Sequence, residues 1–164
     1  MRKEGVKNVL GLRCEPIEKV RIGFIGLGVR AKRAVLRMAN IKGTDIKAIC
    51  DLVESNISDT QHILASNNRA AAETFCSDEG WMRVCEHKDI DLIYICTDWL
   101  THTPMACFAM EQGKHVAIEV PAATTVEECW QLVDTAERTR RHCFMLENCC
   151  YDTFHQAMLT MEKE

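Results

Sequence analysis

The sequence predicts an α/β fold, a doubly wound parallel sheet, on three observations. An apolar run over residues 20–25 stops at closely spaced glycines, a second apolar run ends at the acid Asp51, and strand-like and helix-like segments then alternate along the chain. A parallel strand covered by helices on both faces must be apolar almost throughout, and Asp91-Leu-Ile-Tyr-Ile-Cys-Thr97 meets that demand, so it is placed at the centre of the sheet.

Residues 1–19 mix charges, glycines and Pro16 with no sustained period and read as an arm. Strand 20–25, helix 30–40, strand 46–51 and helix 54–66 then form a complete βαβ unit. A short strand is expected over 71–75 and a short helix over 79–86, before the central strand 91–97. After a polar turn, Thr103 is expected to cap a helix with Pro104 at its first position, running to Gln112 and stopped by Gly113. Strand 114–119 is broken by Pro121. Thr125 and Glu128 have capping-box spacing and open a helix to about Arg140. A sixth strand is expected over 143–147 and a last helix over 153–163. Six strands alternating with helices argue for a doubly wound sheet in the order 3-2-1-4-5-6.

The glycines carry a mechanical argument. Gly26 and Gly28 occupy the first two positions of a G-x-G-x-x-G/A pattern and Ala31 the third, where a small side chain lets helix approach strand. Gly26 permits the tight turn; Gly28 lets the backbone approach a pyrophosphate seated at the positive end of the following helix. Asp51 lies 23 residues after Gly28, where a ribose carboxylate is expected. An acid there accepts from both ribose hydroxyls and repels a 2′-phosphate, which favours NAD over NADP. The order of these features is that of a Rossmann dinucleotide-binding domain, assigned to residues 20–150, with NAD as cofactor. The plain alternatives are a strand-to-helix loop for the glycines and a turn or cap role for Asp51.

In such sheets ligands bind beyond the carboxyl ends of the strands. Residues 26–30, Asp51, residues 97–102, Glu119 and Asn148 all follow strands and are expected to line one crevice, with Thr97 at the end of the central strand.

Composition narrows the field. The 164 residues are 47% hydrophobic, enough for a substantial core, and the formal net charge of -4 leaves no basic stripe for nucleic acid. No apolar run approaches the roughly 20 residues of a membrane helix, and the first residues lack the apolar core of a signal peptide. A cytoplasmic setting is expected, or a periplasmic one if a leader was removed. The ten cysteines show no C-x-x-C spacing, so most are expected to be buried thiols in a reducing compartment, with no metal site. A cluster of His142, Cys143, Cys149 and Cys150 is the minor alternative.

The later motifs are more specific. With Asp98-Trp-Leu-Thr-His102 before Glu119-Val-Pro121, and Val126-Glu-Glu-Cys-Trp130 and Leu146-Glu-Asn-Cys-Cys-Tyr151 after it, the sequence resembles glycoside hydrolase family 109. Those enzymes are NAD-dependent α-N-acetylgalactosaminidases of the glucose-fructose oxidoreductase and inositol dehydrogenase superfamily. The resemblance covers residues 20 to about 160. It implies that Val29 and Arg30 meet the pyrophosphate and Asp51 the adenosine ribose. Trp99, Leu100, Thr101 and His102 would border the dinucleotide, with Glu119, Val120 and Asn148 near its nicotinamide end. The superfamily's dehydrogenases usually carry lysine where Val120 stands, and valine moves no proton. Asp152 stands where the glycosidases tend to have glycine, and Tyr151 either approaches the sugar or bridges to a following domain.

The implied chemistry is transient oxidation at C3 of the sugar, elimination of the aglycone, addition of water and return of the hydride, unlike hydrolysis by paired carboxylates. The resemblance also implies that residues 151–164 begin a connecting helix. The sugar-binding sheet and principal catalytic residues would lie beyond Glu164, leaving this chain able to bind NAD and inactive alone. A small sugar is the expected partner, without nucleic acid or membrane, and a homo-oligomer is open. Two other readings compete: a sugar or cyclitol dehydrogenase, which Val120 counts against, and a non-catalytic NAD-binding module.

Overall fold

Six parallel strands stand side by side in the order β3-β2-β1-β4-β5-β6 in a computed structural model that describes residues 7–161. In chain order the elements are β1 (Val20–Ile25), α1 (Val29–Asn40), β2 (Thr44–Cys50), α2 (Glu54–Ser66), β3 (Glu73–Phe75) and α3 (Gly80–Glu86). They continue with β4 (Leu92–Ile95), α4 (Trp99–Glu111), β5 (His115–Ile118), α5 (Val126–Thr139), β6 (Cys143–Met145) and α6 (Thr153–Met161). The expected order of strands is the observed one.

Side chains along each strand alternate between two cores, as the two-residue period of a strand requires. Phe24, Tyr94 and Ala117 point to the face covered by α1 and α2, where they pack with Leu27, Val35 and Leu64. Ile25, Ile93, Ile95 and Ile118 point to the opposite face and pack with Val84, Met110 and Leu132 from α3, α4 and α5. With both faces covered, β1 and β4 need no polar row, which is why their sequences read as continuous apolar runs.

Register then aligns the strand ends. Ile25 pairs with Cys50 on one side and Ile95 on the other, and Ile95 pairs with Ile118. The residues that follow, at 26, 51, 96 and 119, therefore emerge in a row along one edge of the sheet.

Several boundaries differ from the sequence expectation, and each has a local cause. The helix expected to begin at Pro104 with Thr103 as its cap begins at Trp99, because Asp98 caps it: its Oδ1 accepts from the Leu100 N–H at 3.0 Å and its Oδ2 from the Thr101 hydroxyl at 3.0 Å. Pro104 is consequently inside α4, and the Thr103 hydroxyl donates instead to the Ala122 carbonyl at 3.1 Å. The central strand is shorter than 91–97, spanning Leu92–Ile95, although the Asp91 N–H still donates to the Arg21 carbonyl at 2.8 Å while its side chain meets the Arg21 guanidinium. The capping box at Thr125 forms as expected, with both reciprocal bonds present. The helix it opens stops at Thr139; Arg140 takes a left-handed conformation and its Nη1 donates to the Lys7 and Asn8 carbonyls at 2.7 and 2.9 Å. Residues 7–19 form no helix or strand, and the rest of the expected arm lies outside the described residues, as does the end of the helix expected over 153–163.

The cysteine expectation also needs correction. Cys50 and Cys85 are buried and Cys96, Cys107 and Cys143 half-buried, but Cys14, Cys76, Cys129, Cys149 and Cys150 are exposed, on loops or on the outer face of α5. Among the described residues no group of three or more His, Cys, Asp or Glu side chains is placed to hold a metal ion. No helix among them is long and apolar enough to cross a membrane.

Candidate nucleotide-binding crevice

Two adjoining cavities open at the row of strand ends and share Cys96 and Thr97 on their common wall. The first, about 470 Å³, lies over β1 and β2 and is bordered by Gly26, Gly28, Asp51, Asn56, Trp81 and Thr101, among others. The second, about 330 Å³, lies over β4 and β5 and is bordered by Arg30, Trp99, His102, Glu119, Val120 and Asn148.

The floor of the first cavity is the glycine turn. Gly26 has φ +81°, and a Cβ there would stand 2.6 Å from the Cys96 carbonyl oxygen, so the turn closes against β4 only with glycine. At Gly28 an added Cβ would meet nothing within 4 Å; the backbone faces open space. Gly28 is also the N-cap of α1, whose first turn contains no acid and whose cap makes no side-chain hydrogen bond. The first N–H groups of that helix thus have no side-chain acceptor, an arrangement suited to an anion.

Asp51 sits beside this turn. Its Oδ2 accepts from the Leu27 N–H at 2.6 Å, and its Oδ1 from the Val53 N–H at 2.8 Å and the Asn56 amide at 3.2 Å. Asn56 is in turn held by Lys32 Nζ, 3.0 Å from its Oδ1. The carboxylate is fixed at the cavity wall by donors from three segments.

The second cavity has a charged centre. Glu119, 7% exposed, accepts at Oε1 from the Tyr94 hydroxyl at 3.0 Å and pairs through the same oxygen with Arg30 Nε at 2.9 Å. Arg30 Nη2 also donates to Asn148 Oδ1 at 3.2 Å, so one guanidinium links the segments following β1, β5 and β6. Hydrogen bonding to Glu119 holds the Arg30 pKa above its ordinary value. His102 is buried. Its Nδ1 is 2.7 Å from the Pro121 carbonyl and its Nε2 3.2 Å from the Thr97 carbonyl, so the ring braces the loops after β4 and β5.

Burial pushes the Cys50 and Cys96 thiols up to about 12, so the two thiols at the cavity walls stay protonated and are not nucleophiles at neutral pH.

Of the residues singled out in the sequence, Gly26, Gly28, Asp51, Thr97 and Thr101 border the first cavity, and Arg30, Thr97, Trp99, His102, Glu119, Val120 and Asn148 the second. Val29 and Leu100 border neither and expose their side chains. Asn56, Ser77, Asp78, Trp81 and Met105 were not anticipated at the first cavity. Ser77 and Asp78 follow β3, so the rule that placed the other strand-end residues also reaches them. Tyr94, hidden in an apolar strand, carries no sequence signal beyond its hydroxyl.

The fold and crevice define a class, and comparison with known proteins agrees with it. A model of an oxidoreductase family with an NAD-binding Rossmann fold matches residues 20–147, and the chain belongs to that family. It is 55% identical over 157 residues to glycosyl hydrolase family 109 protein 2 of Phocaeicola vulgatus, covering 96% of this chain and 38% of that protein. It is 53% identical over 164 residues to an alpha-N-acetylgalactosaminidase of Bacteroides fragilis, covering 100% of this chain and 39% of the relative. The chain therefore spans well under half the length of these relatives. Among solved structures, scyllo-inositol dehydrogenase from Lactobacillus casei, with bound NAD(H) and scyllo-inositol, superposes with a TM-score of 0.75 at 19% identity, over 88% of this chain and 41% of that one. That likeness concerns the fold.

Proposed function

We propose that this chain is the NAD-binding part of an NAD-dependent glycosidase acting on α-N-acetylgalactosaminides. The observation that supports the reading most strongly is the 53% identity, along the whole chain, to an alpha-N-acetylgalactosaminidase. Residues 20–150 hold the cofactor, and 151–164 lead toward a sugar-binding part outside this sequence.

The residues present fit a dinucleotide laid across both cavities. Gly28 and the start of α1 receive the pyrophosphate. Asp51 accepts from the adenosine ribose hydroxyls, and its charge repels a 2′-phosphate, so NAD is preferred over NADP. Arg30, in the first turn of α1 beside the pyrophosphate, reaches across to Glu119 and Asn148, which orient the nicotinamide end, with Trp99 to one side and His102 bracing the loops beneath. NAD, when bound, would supply reversible oxidation at C3 of the sugar: the ketone acidifies the C2 proton, its loss expels the aglycone from C1, and the oxidation is undone once water has added. Val120 supplies no proton-transferring group, which favours this reading over a sugar or cyclitol dehydrogenase. The ten unpaired cysteines support a reducing, cytoplasmic setting.

Calorimetric titration of the chain with NAD and NADP tests the cofactor assignment. Binding of NAD with NADP much weaker is expected; a folded chain that binds neither overturns it. For the activity, the full-length protein is given an aryl α-N-acetylgalactosaminide. Release of the aryl group without net NADH is expected, whereas NADH accumulating from a free sugar alcohol would identify a dehydrogenase instead.

A further inference from the structure

Tyr94 lies in the middle of the central strand, 3% exposed, with its ring stacked on Phe24 at 4.7 Å between centroids. Phenylalanine would fill that space equally well, so packing does not account for the hydroxyl. A hydroxyl in such a core must find a partner, and this one donates to Glu119 Oε1 at 3.0 Å. Arg30 Nε reaches the same oxygen from the other side at 2.9 Å. Two donors on one oxygen fix the orientation of the whole carboxylate. Among the described residues no donor meets the other oxygen, Oε2.

We infer that Tyr94 is a positioning residue for the nicotinamide riboside half of the cofactor, holding Glu119 from the core side so that Oε2 faces the second cavity as an acceptor. Tyr94 borders neither cavity, so it acts only through Glu119. Burial, and then the charge of Glu119, push the phenol well above its ordinary pKa, so it remains a donor throughout the working pH range. The inference rests on the reading of the second cavity as the nicotinamide end.

The test compares NAD+ with ADP, which lacks the nicotinamide riboside. Tyr94→Phe keeps the ring and removes the donor. It is expected to weaken NAD+ binding about threefold to tenfold, less than the full worth of a hydrogen bond to a carboxylate because Arg30 still holds Oε1, and to leave ADP binding unchanged. In a Glu119→Ala background the same change should have no further effect. Equal losses for NAD+ and ADP, or no loss for either, would overturn the inference while leaving the nucleotide assignment standing. Failure of the wild-type chain to bind NAD+ overturns both.

A second measurement needs no change at Tyr94. The chain has two tyrosines, so a sample labelled with 13C at tyrosine Cζ gives two resonances, assigned with Tyr151→Phe. NAD+ should shift the Tyr94 resonance and ADP should not. A Tyr94 resonance indifferent to NAD+, or shifted equally by ADP, overturns the inference.

Discussion

The carboxylate of Asp51 accepts a 2.6 Å hydrogen bond from the backbone N–H of Leu27, so the acid at the end of β2 is fastened to the glycine turn at the end of β1. The same carboxylate holds the start of α2 through Val53 and Asn56. A residue expected only to meet a ribose thus also ties together the segments that shape the first cavity.

Asp51→Ala should therefore show in two readouts. Loss of hydrogen bonds to a charged acceptor is expected to weaken NAD binding by about 1.5–3 kcal/mol, roughly tenfold to a hundredfold. The melting temperature of the free chain should fall as well, because the Leu27 N–H loses its acceptor. Asp51→Asn keeps an oxygen for Leu27 but sets an NH2 against the Val53 N–H and removes the charge, so it should restore only part of the stability while narrowing the preference for NAD over NADP. Calorimetry with both nucleotides checks this, and unchanged NAD affinity in Asp51→Ala would refute the ribose assignment.

The two glycines of the turn should behave oppositely. Gly26→Ala forces a side chain into a left-handed backbone and sets its Cβ 2.6 Å from a carbonyl oxygen, and is expected to destabilise the fold by about 1–3 kcal/mol or more. Gly28→Ala meets nothing, so thermal stability should be retained. Its methyl group would occupy the space offered to the pyrophosphate and lower NAD affinity. Thermal melts paired with NAD titrations separate the two, and a Gly28→Ala chain with full affinity would remove the pyrophosphate from this turn.

What the sequence disclosed follows from how local each signal was. The apolar runs at 20–25 and 91–97, the G-x-G turn and the acid after the second strand depend on neighbours a few residues away, and the strand order is the one that goes with a dinucleotide-binding turn after the first strand. The start of α4 differs because Pro104 after Thr103 is an ordinary helix opening, while Asp98 with Thr101 caps five residues earlier and wins. The two-cavity form of the crevice, and the link from Tyr94 through Glu119 to Arg30, were illegible. They join residues 25 to 89 positions apart, and only the register of β1, β4 and β5 brings them together.

His102 tests whether a buried brace matters to the crevice. His102→Ala removes a buried ring whose N–H can donate to either the Pro121 or the Thr97 carbonyl, and is expected to cost about 1–3 kcal/mol, the penalty for a lost hydrogen bond and its unpaired group. Differential scanning calorimetry of the free chain reads it directly. An unaltered melting temperature would mean that water replaces the ring.

Arg21 and Asp91 predict how the fold responds to acid. Arg21 Nη2 and Nε reach the two oxygens of Asp91 at 2.7 and 2.9 Å, and the Arg21 backbone N–H adds a third bond at 2.9 Å, tying the start of β1 to the start of β4. These bonds, led by the Arg21 side chain, hold the Asp91 pKa below the ordinary aspartate value in the folded chain. A carboxylate whose folded pKa is depressed contributes stability above its unfolded pKa, and that contribution is lost as pH falls through the folded value. Asp91→Asn should thus melt lower than wild type at neutral pH, with the gap closing only on acidification below the ordinary aspartate range. Melts of both proteins across that range decide it; a gap independent of pH would show that the carboxylate charge contributes nothing and that shape alone holds the two strand starts together.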